Sequence, residues 1–350
     1  VQGVLGLYRA VSAEIAEAIG AVLSEEAQAR LAERPIVDPQ VVEYVLLGRS
    51  ALGRFTLQDF DIALDYFQAA LEIESLYAPA HIGMANVWAY RAQWGLVPLL
   101  EARAAEQPYL EKALELDPGL ATARSSLAGS LFWRHWEYQR GLEEMERALD
   151  LDPNNARNRV FHGHMHMILG RSEEAREEGE RALELDPLDP FVMGLYGAFL
   201  AFTAPPEEAI QYLEAMFEDY PGAGFGYPAL AHAYRRAGLT EEEARAYRAD
   251  FALNGWDWAI AAMDRGMEVG DSREGLRQAA EAMVLRFEET YLPALYLAYL
   301  FRAAGEVEKS LDWLERSLEQ HDPNLPYIGL WGWDKLYDHP RFQAVVEEVG

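Results

Sequence analysis

What most limits the fold of this chain is a period of about 34 residues. Leu116-Asp117-Pro118, Leu151-Asp152-Pro153 and Leu185-Asp186-Pro187 recur at steps of 35 and 34, and Pro221 follows 34 later. Gly163, Gly197 and Ala231 keep the same 34-residue step, as do Gly170, Ala204 and Gly238, and Ala175 is answered by Ala209. Each period holds two amphipathic helical stretches. The first ends near the Gly170 type of position and the second at the Asp-Pro. Small residues fall where two helices must approach closely, because a larger Cβ substituent would push the backbones apart. Proline lacks an N–H and clashes with the preceding turn, so it stops the second helix and can open the next. The aspartate before it is placed to cap that next helix.

The fourth hairpin carries Gly163, Gly170, Ala175, Ala182 and Pro187, and the fifth Gly197, Leu200, Ala209, Leu213 and then Pro221. The sixth carries Tyr227, Leu230, Ala231, Tyr234, Gly238 and Tyr247. Earlier hairpins are looser. The first offers Tyr44, Leu47, Gly48, Ala63, Phe67 and Ala70; the second Met84, Ala85, Trp88, Ala113 and Pro118, with extra residues around Trp94 to Pro98. The third keeps Leu127, Ala128, Leu131, Ala148 and Pro153; a weak seventh runs from Trp258 to Phe287, and an eighth carries Ala294, Leu297, Ala298, Gly305, Leu314 and Asp322. This pattern resembles the tetratricopeptide repeat (TPR). The resemblance implies an all-α fold, a right-handed α-solenoid of about eight TPR-like helical hairpins over residues 35–322. Residues 1–34 are then an N-terminal helical lead, the end of a preceding domain. Residues 323–350 form a C-terminal capping segment, because a solenoid must cover its last apolar face.

Further segments narrow the resemblance. Trp136-Glu137-Tyr138, and Trp333, Leu336 and Pro340-Arg341-Phe342 near the end, are similar to elements of the C-terminal repeat region of bacterial membrane signalling proteins. In that group a kinase, cyclase or winged-helix domain precedes a membrane helix, which places the repeats on the extracytoplasmic side. No motif of those output domains is present here.

Charge and composition exclude several classes. Fifty-eight acids against 30 bases give a net charge of −28. A nucleic-acid binder needs a basic footprint, and docking on anionic lipid needs basic clusters, so the chain is read as having neither partner. With no cysteine, thiolate chemistry, Cys-ligated metal and disulfides are excluded.

Catalytic readings are weak. His162 and His166 share a helix face at i, i+4 while His164 points away, and the Glu of a H-E-x-x-H zinc site is missing. They read as packing residues. Glu173-Glu174, Glu177-Glu178 and Glu241-Glu242-Glu243 are interleaved with Arg176, Arg181 and Arg245 at helical spacing, as on a solvated face. Gly222-Ala223-Gly224-Phe225-Gly226 follows a helix rather than a strand and lacks the lysine of a phosphate loop. Trp256, Trp258, Trp313, Trp331 and Trp333 read as core and end-cap residues. The expectation is no enzyme, no metal and no cofactor.

In the repeat family the first helix of each hairpin lines the concave side. Carried over, that stripe contains no Asp or Glu but five arginines, Arg49, Arg157, Arg235, Arg236 and Arg302. The expected function is therefore a protein–protein interaction module, the partner-binding or sensory arm of a larger signalling protein. An apolar, carboxylate-bearing peptide would settle against Tyr90, Phe132, Trp133, Met167 and Phe202, with His164 and His232 on the same stripe. Arg157, Arg235 and Arg236 would hold its carboxylate. Two alternatives stand beside it: a sensor of a small hydrophobic molecule at Phe132, Trp133 and Phe202, and a solenoid that self-associates.

Overall fold

A computed structural model describes residues 37–350 apart from 55–56, 223–225, 288–290, 331 and 334–335. The N-terminal lead over residues 1–34 and the Trp331 side chain lie outside the described residues. Among those described there are seventeen α-helices and no strand. Sixteen of them follow one another in sequence as eight successive helix pairs. The first four hairpins are α1 (Pro39–Leu52) with α2 (Leu57–Ile73), α3 (Ala78–Gln93) with α4 (Leu99–Leu116), α5 (Ala121–Gly129) with α6 (Tyr138–Leu151), and α7 (Ala156–Ile168) with α8 (Ser172–Leu185). The others are α9 (Pro190–Thr203) with α10 (Pro206–Asp219), α11 (Tyr227–Arg236) with α12 (Thr240–Leu253), α13 (Asp257–Val269) with α14 (Ser272–Phe287), and α15 (Ala294–Ala304) with α16 (Val307–Glu319). A last helix, α17 (Pro340–Val349), follows. The expected all-α solenoid of hairpins is what the chain forms. Among the described residues no helix is long and apolar enough to cross a membrane.

The described residues divide into two compact units, one ending at Val87 and one running from Trp88, with the boundary inside α3. In the first unit the Phe67 ring, fully buried, fills the slot left by two glycines. A Cβ on Gly48 would lie 2.7 Å from that ring and one on Gly83 only 2.3 Å. Phe67 is buried there together with Phe60, Val41, Ala63 and Ala70.

In the second unit the fourth hairpin shows how the period is built. Asn155 caps α7 by accepting from the Asn158 amide. Gly170 ends the turn at φ +74, a left-handed conformation that glycine adopts without penalty. A Cβ on Gly163 would sit 3.0 Å from the Ala175 carbonyl, so the two helices close only over a glycine. The aspartate of the Leu-Asp-Pro signature takes a different task from the one expected of it. Asp152 and Asp186 end α6 and α8, whereas the caps of the next helices are Asn155 and Asp189, three residues further on. The reason is steric. A residue before proline is driven out of the helical region, so the chain needs a short connector before it can turn helical again.

The seventh hairpin, weakest in sequence, is closely packed. A Cβ on Gly266 would come within 2.7 Å of both the Glu274 carbonyl oxygen and the Gly275 Cα. In the third hairpin α5 widens into a π-helical turn over Ser130–Arg134. Beyond it Trp136 takes a positive φ of 56°, and the only other non-glycine residue to do so among those described is His321, at 53°. The two rings stack with centroids 3.5 Å apart.

Candidate functional site

That stack begins an arrangement for which the sequence carries no local sign. The segment after α16 does not merely cover the eighth hairpin; it runs back across the face lined by the first helices of the second unit. Asn324 donates through Nδ2 to the Gln93 carbonyl at the end of α3, at 3.1 Å, and accepts from the Gln93 side chain. A single 3-10 turn, Leu325–Tyr327, follows. Leu325 and Ile328 are buried in the C-terminal cluster with Trp333 and Phe342, as befits a cap. Tyr327 points the other way. Its ring stacks on Phe202, packs against the cluster containing Phe132 and Trp133, and sends its hydroxyl to His164 Nδ1 at 3.1 Å. At the far end Arg302 Nη1 donates to the Gly332 carbonyl at 3.2 Å. Tyr138, on α6, donates to the Val349 carbonyl at 2.8 Å, which ties down the last helix.

His164 is specified by its partners. Its Nε2 lies 2.8 Å from the Leu195 carbonyl, so that nitrogen carries the proton and Nδ1 accepts from Tyr327. Burial pushes its pKa down to about 4, which keeps the ring neutral. His162 and His166 face each other, Nε2 to Nε2 at 3.1 Å, with Glu178 3.3 Å from His162 Nδ1. Among the described residues no group of three or more His, Cys, Asp or Glu is arranged to hold a metal ion.

The structure redraws the expected groove. Phe132, Trp133, His164, Met167 and His232 are buried, so they are not open anchors for an incoming partner. Tyr90 and Phe202 are partly covered. Phe202 lies 5.2 Å from the His232 ring, and Phe132 lies 5.0 Å from Trp133. The three arginines expected to receive a carboxylate are each engaged within the chain. Arg157 grips Asp189 through Nε and Nη2 at 2.7 and 3.3 Å, and its guanidinium lies over Phe191. Arg235 lies 3.6 Å from Glu243, and Arg236 donates to the Ala201 and Ala204 carbonyls at the end of α9, at 2.7 and 2.8 Å. An acid-free stripe was therefore not an unpaired one. Its acids come from outside it: Asp189 is the cap of the next helix, and Glu243 sits on a second helix. Asp189, which caps the helix begun by Pro190, also serves an arginine one repeat earlier, a contact with no local sign in the sequence.

Asp322 heads the returning segment, nearly fully buried, and accepts from the Asn324 amide at 2.9 Å. Burial pushes its carboxyl up to about 6. Its unfolded pKa is near 3.9, so between roughly pH 4 and 6 the folded state holds more protons than the unfolded one. This group's stabilising contribution is complete below about pH 4 and is lost as pH rises through 6. Asp322→Asn should therefore flatten the dependence of stability on pH over that window by about 2–3 kcal/mol, measured by urea unfolding at pH 4.5 and 7. An unchanged pH profile would mean that Asp322 is not buried in this way.

Fold and site together define a helical-repeat solenoid, with the chain's own Tyr327 lying against the first helices of its second unit. Residues 156–187, the fourth hairpin, match the tetratricopeptide repeat family. No curated protein matches the chain. Among solved structures it is similar to human IFIT1 in a dimer with m7Gppp-AAAA, at 15% identity over 76% of this chain and 68% of that one, with a TM-score of 0.53. The human IFIT1 dimer with PPP-AAAA gives 15% identity, 76% and 69% coverage and a TM-score of 0.51. Yeast Tom70 gives 13% identity over 91% of this chain and 69% of that one, with a TM-score of 0.47. At these identities the likeness is one of fold.

Proposed function

We propose that this chain is a non-catalytic interaction module whose inner face takes an apolar peptide built around an aromatic anchor, serving as the partner-binding arm of a larger signalling protein. One observation supports the peptide reading above the rest: a peptide already lies there, the chain's own residues 324–332, with Tyr327 between Phe202 and His164. A face that can bury a tyrosine ring and satisfy its hydroxyl has what a partner's aromatic anchor needs. The peptide's carboxylate drops out of the reading at Arg157, which Asp189 holds through two hydrogen bonds.

The test uses the segment in trans. A fluorescently labelled synthetic peptide of residues 322–330 is titrated with the full chain and with its Tyr327→Ala variant. The variant should bind the peptide at least about tenfold more tightly than the parent, because its own segment no longer fills the slot; tenfold corresponds to about 1.4 kcal/mol. A peptide carrying alanine in place of its tyrosine should not bind. Equal binding to both proteins, or none to a variant whose helix content is unchanged, would sink the reading.

A further inference from the structure

A cavity of about 270 Å³ opens where α11, α12, α14 and α15 meet the end of the returning segment. Its wall carries His232, Arg235, Arg236, Arg273, Glu243 and Gly332. Arg302 lies directly behind: Ala303, next to it in α15, lines the cavity, and Arg302 itself holds the Gly332 carbonyl. Arg302 is 5% exposed, its Nε and Nη2 find no acceptor, and no carboxylate pairs with it among the described residues. Its other company is aromatic, the rings of Trp333 and Tyr299 at 5.0 and 5.5 Å.

The charges here do not balance. Among the described residues four guanidinium groups face a single carboxylate, that of Glu243, whose Oε1 stands 3.6 Å from Arg235 without a hydrogen bond. Arg236 donates to the Ala201 and Ala204 carbonyls at the C-terminal end of α9, whose partial negative charge offsets only part of its own. Arg273 is exposed and makes no ion pair among the described residues. His232 adds no compensation. Burial, and then Arg302, Arg236 and Arg235, hold it well below its ordinary pKa and so neutral. Glu243 is itself pushed upward by burial, against the pull of Arg235 and Arg302. A buried cation without a counter-ion is strongly unfavourable, and like charges around it make it worse. In a chain of net charge −28 such a surplus of positive charge at one cavity is not a property of the surface at large.

We propose that this cavity is a binding site for a small dianionic oxyanion of the phosphate class. The surplus of three positive charges is better met by two negative charges than by one, and guanidinium groups offer oxyanions paired donors. The volume falls below the roughly 300–1,000 Å³ of drug-sized ligand pockets but holds several waters' worth of space, which suits a small ion. The proposal rests on the arginine cluster and not on the peptide reading, although Gly332 of the returning segment lines the cavity and His232 adjoins Phe202 of the Tyr327 slot.

Thermal melting and titration calorimetry of the full chain, with inorganic phosphate against chloride at matched ionic strength, test it. Phosphate at saturation should raise the Tm by at least about 3 °C. Arg273→Ala should leave the phosphate-free Tm unchanged and weaken phosphate binding about tenfold. Arg302→Met, which removes the uncompensated charge, should melt above the parent without phosphate and lose the phosphate-dependent shift. Absence of any shift in the parent would overturn the proposal. So would a shift that both variants retain, since phosphate also stabilises proteins generally by exclusion from their surface. An equal shift with acetate would likewise overturn it, by showing that a single charge suffices.

Discussion

Glu106→Ala should destabilise the second unit by about 3–5 kcal/mol, far more than loss of any surface ion pair would. Glu106 on α4 and Arg134 at the end of the π-helical turn form a 2.6 Å ion pair with side chains only 3% and 6% exposed. Removing the acid strands a guanidinium in a place that water does not reach. The attraction itself is not what the number measures, because desolvation of both ions offsets much of it. Accordingly the double change Glu106→Leu with Arg134→Met should recover most of the loss. Urea unfolding of the three proteins, compared at constant m-value, decides the matter. A single variant within about 1 kcal/mol of the parent would mean that the pair is solvated.

The first unit should respond as sharply to Phe67→Ala, with an expected loss of about 3–5 kcal/mol. The ring is completely buried and meets Gly48 and Gly83 from two neighbouring helices, so truncation leaves a cavity that neither glycine can fill. Gly83→Ala asks the reverse question. Its methyl group would fall 2.3 Å from the Phe67 ring, which must move, at a cost of about 1–3 kcal/mol. In the background of Phe67→Ala that second substitution should become neutral or favourable. Additive losses would show that ring and glycine do not share one slot.

What could be read in advance follows from the range of the forces involved. Hairpins are local, and their signals are local too: Gly163 is small because the Ala175 carbonyl approaches it, and Gly170 is glycine because its φ is positive. The stripe of first-helix residues came with the family resemblance, and the structure brings Phe202 to His232 and both Phe202 and His164 to Tyr327. Their covering did not follow. Tyr327 meets His164 across 163 residues, and Asn324 meets Gln93 across 231, in a stretch broken by prolines where periodicity is lost. The extra residues between α3 and α4 had an unread purpose of the same kind. Gly95 in that loop has φ +64, and a Cβ there would lie 1.9 Å from Pro293 Cγ, so the loop closes against the entry to α15. Charge was misread for a related reason. A count along one face of helices omits acids delivered from caps and second helices, and Asp189 and Glu243 are of those two kinds.

Asn324, Tyr327 and Gly332 of the returning segment lie against the first helices of the second unit, and a chain without cysteine allows that placement to be tested directly. Cysteines placed at Gln93 and Asn324, whose side chains touch, are treated with a short bismaleimide, and the product is read by mass spectrometry. A control pair at Arg248 and Asp264, exposed partners on α12 and α13, reports that the reagent and the fold are sound. The account predicts an intramolecular 93–324 link in the native protein, lost in denaturant and in excess over any link between chains. A native protein in which the control pair links and the 93–324 pair does not would contradict it.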